Sequence, residues 1–259
     1  MSLPKVQIIN HLLQKHVPGT VATSRFMTEH GVSKVMASQY VSSDWLERIG
    51  RGAYIRTGDK VDWQGALYSM QTQLNLSVHV GGLTALRLKG LGHYLPFTKE
   101  TVYLFSDGRE HLPAWFNNYQ WSDTISHHNG ALFELPARTL LSAHAHKSFE
   151  ILISSPERAA FEMLSLVKTN DDFDAAMTVY EGLGRLRPRA TQPLLEACGS
   201  VKVKRLFLWM AKHFDHPWLA HVDLSDVDLG KGKRMIYSGG KLDKEYLITV
   251  PKKSEIDDV

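Results

Sequence analysis

The chain has 259 residues, 43% of them hydrophobic, a formal net charge of +3 and a single cysteine, Cys198. That content is enough for a sizeable core in one or two domains, and it excludes an intramolecular disulfide or a multi-cysteine metal cluster. No window approaches the roughly 18 consecutive apolar residues of a membrane span. The opening residues predict no secretory signal, so the expected compartment is the cytoplasm.

Residues 5–15 place Val6, Ile9, Leu12 and Leu13 at helical spacing, and His16-Val17-Pro18-Gly19 closes that helix. A second helix is expected over residues 20–30, capped by Thr20 or Thr23, with Phe26 and Met27 inward and Val21 near its start. Gly31 permits a tight turn, and Val32 is the apolar residue that plugs it into the core. Ser33 caps a third helix over 34–43, which buries Val35 or Met36 together with Tyr40 or Val41. Its exposed side draws on Ser33, Lys34, Ala37, Ser38 and Gln39. Glutamine can address adenine in the major groove, and serine or lysine can take phosphate or base edges. Any solvated helix face has a similar composition, so the helix alone leaves function and mere solvation equally open.

The next segment shifts that balance. Residues 46–56 read as a hairpin with Gly50 and Gly52 at the turn and Arg48, Arg51 and Arg56 around it. Three helices followed by a basic hairpin are the pattern of a winged helix-turn-helix, whose hairpin meets phosphates or the minor groove beside the recognition helix. Residues 1–60 hold eight Lys/Arg against four acids, a local excess that favours a phosphate backbone.

A longer mixed region follows. Asp62-Trp63 opens a helix running to about Gln73. Leu74, Leu76, Val78 and Val80 alternate as in a half-buried strand. Gly81-Gly82 start a compact helix over 83–89. Residues 101–105 predict a strand, 112–117 and 119–126 extended or irregular chain, and 131–135 and 149–153 further strands. Ser155-Pro156-Glu157 is a strong helix start. It begins a cluster of four helices near 156–167, 171–182, 190–198 and 201–212. In the last of these Val203, Phe207, Met210 and Ala211 are expected inside, with Lys202, Arg205 and Lys212 reaching solvent. Ile236-Tyr237, the Gly239-Gly240 turn and residues 246–250 predict a closing hairpin.

Chemistry-bearing patterns are sparse. His127-His128, His144-x-His146 and His213-x-x-His216 match no zincin spacing, and no cysteine joins them. Leu229-Gly230-Lys231-Gly232-Lys233-Arg234 is basic and glycine-bearing but lacks the Walker spacing and its Lys-Ser/Thr pair. No serine elbow or catalytic carboxylate pair stands out. No metal, cofactor or catalytic residue is therefore assigned.

Several pieces resemble the AbiEi family of antitoxins from bacterial type IV toxin–antitoxin and abortive-infection systems. They are Arg51-Gly52-Ala53-Tyr54, the run Gly81-Gly82-Leu83-Thr84-Ala85-Leu86 with Gly90, Ser155-Pro156-Glu157-Arg158-Ala159, and Gly239-Gly240-Lys241-Leu242-Asp243. The resemblance implies an α+β protein: a winged helix-turn-helix over 1–60, a larger mixed α/β antitoxin domain over 61–251 and a frayed tail over 252–259. It implies a non-enzymatic repressor that binds inverted repeats in double-stranded DNA at its own promoter, alone or as a homodimer. It also implies antagonism, direct or indirect, of a nucleotidyltransferase-like toxin. The DNA role then falls on Ser33, Lys34, Ser38, Gln39, Arg48, Arg51 and Arg56. Lys202, Lys204, Arg205, Lys231, Lys233 and Arg234 form an expected charged face, with ordinary solvated charge an equal reading for each. Gly81, Gly82 and Gly90 read as structural turns. Two other readings stay open: a ligand-sensing winged-helix regulator, and a nucleic-acid-modifying enzyme with a recognition domain.

Overall fold

The computed structural model describes residues 5–92, 101–108 and 110–252. The expected tail lies outside them from residue 253 onward. The N-terminal unit comprises α1 (Lys5–Lys15), β1 (Ala22–Thr23), α2 (Ser24–Glu29), α3 (Lys34–Ser42), β2 (Leu46–Gly50) and β3 (Ala53–Arg56). Two of its caps are those expected: Thr23 Oγ1 accepts from Phe26 N at 3.2 Å and Ser33 Oγ from Met36 N at 3.3 Å.

α2 is shorter at its start than the expected 20–30. Ala22 and Thr23 pair with Tyr54 and Ala53 instead, giving a three-stranded antiparallel sheet of order β1-β3-β2. The small core joins Ile9, Leu12, Ala22, Met27, Val32, Ala37, Tyr40 and Leu46, so Val32 does plug the turn. On α3 the buried stripe is Ala37 and Tyr40, three residues apart, while Val35 is 68% exposed. Ala37 therefore belongs inside rather than to the polar face expected of it.

α4 (Trp63–Thr72) joins this unit to the rest. Ser69 Oγ donates to Val21 O at 2.6 Å and accepts from Val21 N at 3.0 Å. Gln73 accepts from Thr23 N and donates to Val21 O. A Cβ on Gly65 would meet Gly19 O at 1.9 Å, so the two backbones touch where only glycine fits. On its other side α4 reaches the large sheet through Gln71.

That sheet has five strands in the order β6-β5-β4-β8-β7: β4 (His79–Val80), β5 (Thr101–Ser106), β6 (Thr124–Asn129), β7 (Leu141–His146) and β8 (Phe149–Ser154). β5 pairs parallel with β6, and β4 parallel with β8; the other two pairings are antiparallel. The strand expected from Leu74 to Val80 shrinks to two residues. Gln71 replaces the missing part of the ladder: its amide donates to Val78 O and Leu152 O and accepts from Leu152 N. Residues 131–135 make only one bridge, Phe133 to Cys198, instead of a strand.

Between and after the strands come α5 (Gly82–Leu88), α6 (Ala114–Asn118), α7 (Pro156–Ser165), α8 (Asn170–Glu181), α9 (Pro188–Ala197) and α10 (Val201–His213). The four expected C-terminal helices are all present. α10 is buried around its whole circumference from Val203 to Ala211, Lys204 and Arg205 included. The closing hairpin pairs β9 (Lys241–Asp243) with β10 (Ile248–Val250). Its turn is Lys244 to Leu247 rather than Gly239-Gly240, because Asp243 Oδ1 accepts from the amides of Glu245 and Tyr246. The main apolar core runs without interruption from Val21, Ala53 and Ile55 through α4 and the sheet to α10 and β10.

Candidate nucleic-acid interface

α3 lies against β2, so the helix face and the hairpin form neighbouring parts of one surface. Ser33, Lys34, Ser38 and Gln39 on α3 are all exposed, as are Arg48, Arg51 and Arg56 on the hairpin. Lys34, Ser38 and Gln39 line a shallow concavity along α3 with Val35, Ser42 and Ser43. The hairpin partly orders its own cations: Arg48 Nε donates to Gly50 O at 3.2 Å. Its acid Glu47 is occupied, accepting from Gly58 N at 3.0 Å. The structure thus brings all seven expected residues to the surface of one unit.

The hairpin is not free on its inner side. A Cβ on Gly50 would lie 2.6 Å from Trp115 Cβ and 3.0 Å from Trp115 Cα. β2 therefore rests directly on α6. Sequence gave α6 no helical signature; five residues are too few for a visible period.

The second expected charged face does not hold together. Lys204 and Arg205 are 5% and 2% exposed and cannot belong to a surface. Arg205 is spent inside: Nε donates to Leu229 O at 2.7 Å, Nη1 to Gly232 O at 2.6 Å, and Nη2 to Gly230 O at 3.0 Å. A buried guanidinium needs such acceptors, and here it fixes the backbone of the glycine-bearing loop. Lys202 donates to Val167 O and is half-buried, and burial lowers its pKa. Lys231, Lys233 and Arg234 remain exposed on the loop that Arg205 holds.

Two of the sequence motifs converge on a buried ionic cluster instead. Glu162 Oε1 faces His79 Nε2 at 3.0 Å and Arg158 Nε at 2.8 Å. Glu162 Oε2 accepts from Ser154 Oγ at 2.7 Å and Gly82 N at 3.1 Å. Burial alone would raise the Glu162 pKa, but His79 and Arg158 outweigh it and the net shift is downward. Arg158 also donates to Ala137 O and Thr139 O. A Cβ on Gly81 would stand 2.2 Å from Glu162 Oε2, and Gly82 has φ +51°. Gly81-Gly82 and Arg158 thus build a closed structural centre; its carboxylate has four donors and no room for a ligand.

Next to it Glu157, 1% exposed, takes both Nε and Nη2 of Arg187 at 2.9 and 3.0 Å. Burial raises its pKa, but the Arg187 hydrogen bonds prevail and hold the carboxyl at about 2.

The histidine pairs go to separate partners. His127 Nε2 meets Ser106 Oγ, His128 Nε2 meets Ser126 Oγ, His146 Nε2 meets Asp62 Oδ2, and His216 Nε2 meets Tyr180 O. Among the described residues no three His, Cys, Asp or Glu converge as a metal site. Nor is any helix among them long and apolar enough to cross a membrane.

The fold resembles that in the crystal structure of the RV2827C protein from Mycobacterium tuberculosis. The TM-score is 0.58 at 12% identity, over 95% of this chain and 92% of that one. No curated protein matches the sequence. Residues 5–97 match the family model described as the transcriptional regulator, AbiEi antitoxin N-terminal domain. Residues 99–251 match the one described as transcriptional regulator, AbiEi antitoxin, type IV TA system. With both models matched in order along nearly its whole length, the chain belongs to the AbiEi family of antitoxins and transcriptional regulators of type IV toxin–antitoxin systems.

Proposed function

We propose that the protein is a winged-helix repressor of its own toxin–antitoxin operon and, through its larger C-terminal part, an antitoxin against a nucleotidyltransferase-like toxin. It acts in the cytoplasm by stoichiometric binding and forms or breaks no covalent bond. The observation that carries the DNA half is the shared surface of α3 and the hairpin. Ser33, Lys34, Ser38 and Gln39 lie on the helix, with Arg48, Arg51 and Arg56 beside it, all exposed. In such a reader the helix enters the major groove and the hairpin cations take phosphates or the minor groove. Two copies on inverted repeats would double the contacts one small unit can make.

Footprinting on the DNA upstream of its own gene tests this. The expected result is protection of repeated half-sites that survives an excess of unrelated duplex. Equal affinity for unrelated DNA, or no protection at low salt, overturns sequence-specific repression. The antitoxin half is tested by co-expression with a nucleotidyltransferase-like gene encoded beside it that arrests growth on its own. Growth rescued by the intact chain supports this half, and growth no better than with an empty vector removes it.

A further inference from the structure

The short helix under the hairpin has a second side. Between α6 and β6 opens a cleft of about 500 Å³, within the size range of small-molecule sites. Tyr119 and Trp121, with centroids 4.5 Å apart, supply an aromatic wall, backed by the buried Phe116 5.1 Å from Trp121. Trp121 Nε1 donates to Phe116 O at 2.9 Å, which fixes that wall before anything binds. Asn117 and Gln120 place amides at the rim. Such flat faces with few polar groups suit a planar ring that carries hydrogen-bonding edges.

The charge of the cleft narrows the ligand. Among the described residues its lining includes no Lys or Arg, and Asp123 is its one carboxylate. His127 closes one end on Ser106 Oγ at 2.8 Å. Burial first, and then the neighbouring His128, lower its pKa, which disfavours a positive charge there. Among the described lining residues a phosphate would meet no fixed cation, whereas an amine or hydroxyl could donate to Asp123.

The position of the cleft gives it a consequence. Phe116 and Asn117 line it, while the adjoining Trp115 meets the Gly50 backbone of β2 with no side chain between them. We propose that the cleft between α6 and β6 binds a planar heteroaromatic molecule of nucleoside size without phosphate, and that its occupancy alters DNA affinity through the contact of Trp115 with the hairpin. Coupling requires that the ligand favour one placement of α6, and the same free energy then appears in DNA binding.

The full chain is titrated calorimetrically with adenosine, guanosine, cytidine, uridine and thymidine, and with their 5′-monophosphates. At least one nucleoside is expected to bind saturably at one site, and its monophosphate at least about tenfold more weakly, which is about 1.4 kcal/mol. Asn117→Trp and, separately, Gln120→Trp place bulk at the rim from exposed positions and should abolish the heat. With the upstream duplex, saturating nucleoside should shift the Kd at least about threefold for the wild type and not for the filled variants; three- to tenfold corresponds to about 0.7 to 1.4 kcal/mol. Absence of nucleoside heat at millimolar concentration, equal or tighter monophosphate binding, or binding retained by both folded variants overturns the site. Nucleoside binding with an unchanged duplex Kd overturns the coupling. The duplex arm rests on the DNA-reading proposal; the calorimetric arm does not, so a protein that ignores DNA still decides the cleft.

Discussion

The N-terminal unit and the C-terminal part use their cations in opposite ways. Around α3 and the hairpin, Lys34, Arg48, Arg51 and Arg56 stand in solvent above a small apolar core. In the larger part Arg158, Lys204 and Arg205 are at most 5% exposed, and the two arginines hold carboxylates and main-chain carbonyls. A cation left in solvent is available to a polyanion, while a buried one specifies a backbone path. A basic stretch of sequence therefore locates a binding surface only after burial is known.

That contrast can be broken from either side, and the largest effect should come from the buried side. Glu162→Ala removes the carboxylate that both Arg158 and His79 face in the interior, leaving Arg158 only the longer contact with Asp107, and should cost about 3–5 kcal/mol in urea unfolding. A loss below about 1 kcal/mol would mean water reaches the cluster. Arg205→Ala strips donors from carbonyls of the 229–232 loop and should cost about 3 kcal/mol. Lys231→Ala and Lys233→Ala on the same loop should stay within about 0.5 kcal/mol. If Lys231→Ala matched Arg205→Ala, the division between inner and outer cations would be wrong. On the N-terminal side Gln39→Ala should relax preference at one base pair by about 1–3 kcal/mol. Arg51→Ala should weaken binding to all duplexes and lower the salt slope by about one. Both variants should leave the unfolding midpoint unchanged.

A last effect is a pH dependence. The Glu157 carboxyl is held at about 2 when folded, below its ordinary 4.5. Its contribution is thus fully present above pH 4.5 and is lost as pH falls toward 2. Glu157→Gln should flatten acid unfolding within that window; an unchanged slope there would show that other carboxylates set it.

The N-terminal unit was the more legible of the two. Its caps at Thr23 and Ser33 and the turn plug Val32 are local signals, and local hydrogen bonds formed them. What escaped depended on distant chain. β6 exists through parallel pairing with β5, and Ala22-Thr23 became strand only because Ala53 and Tyr54 lie beside them. The truncation of the strand before His79 needed the side chain of Gln71, which no alternation pattern encodes. Arg205 read as exposed because it is charged; the loop carbonyls that accept from it are 24 to 27 residues away. The seven exposed residues of α3 and the hairpin are legible in composition and turn chemistry, whereas α6 and its cleft leave no periodic trace.

The hydrogen bonds from Ser69 and Gln73 to β1 also bear on how the molecule can be dissected. A fragment ending at residue 60 would keep the exposed side chains of α3 and the hairpin yet lose α4, and with it the partners of Val21 and Thr23. It would also bare Val21, Ala53 and Ile55, whose packing belongs to the larger core. The smallest autonomous N-terminal unit must therefore extend past Gln73, and proteolysis between the hairpin and α4 should yield a fragment that aggregates instead of a folded module.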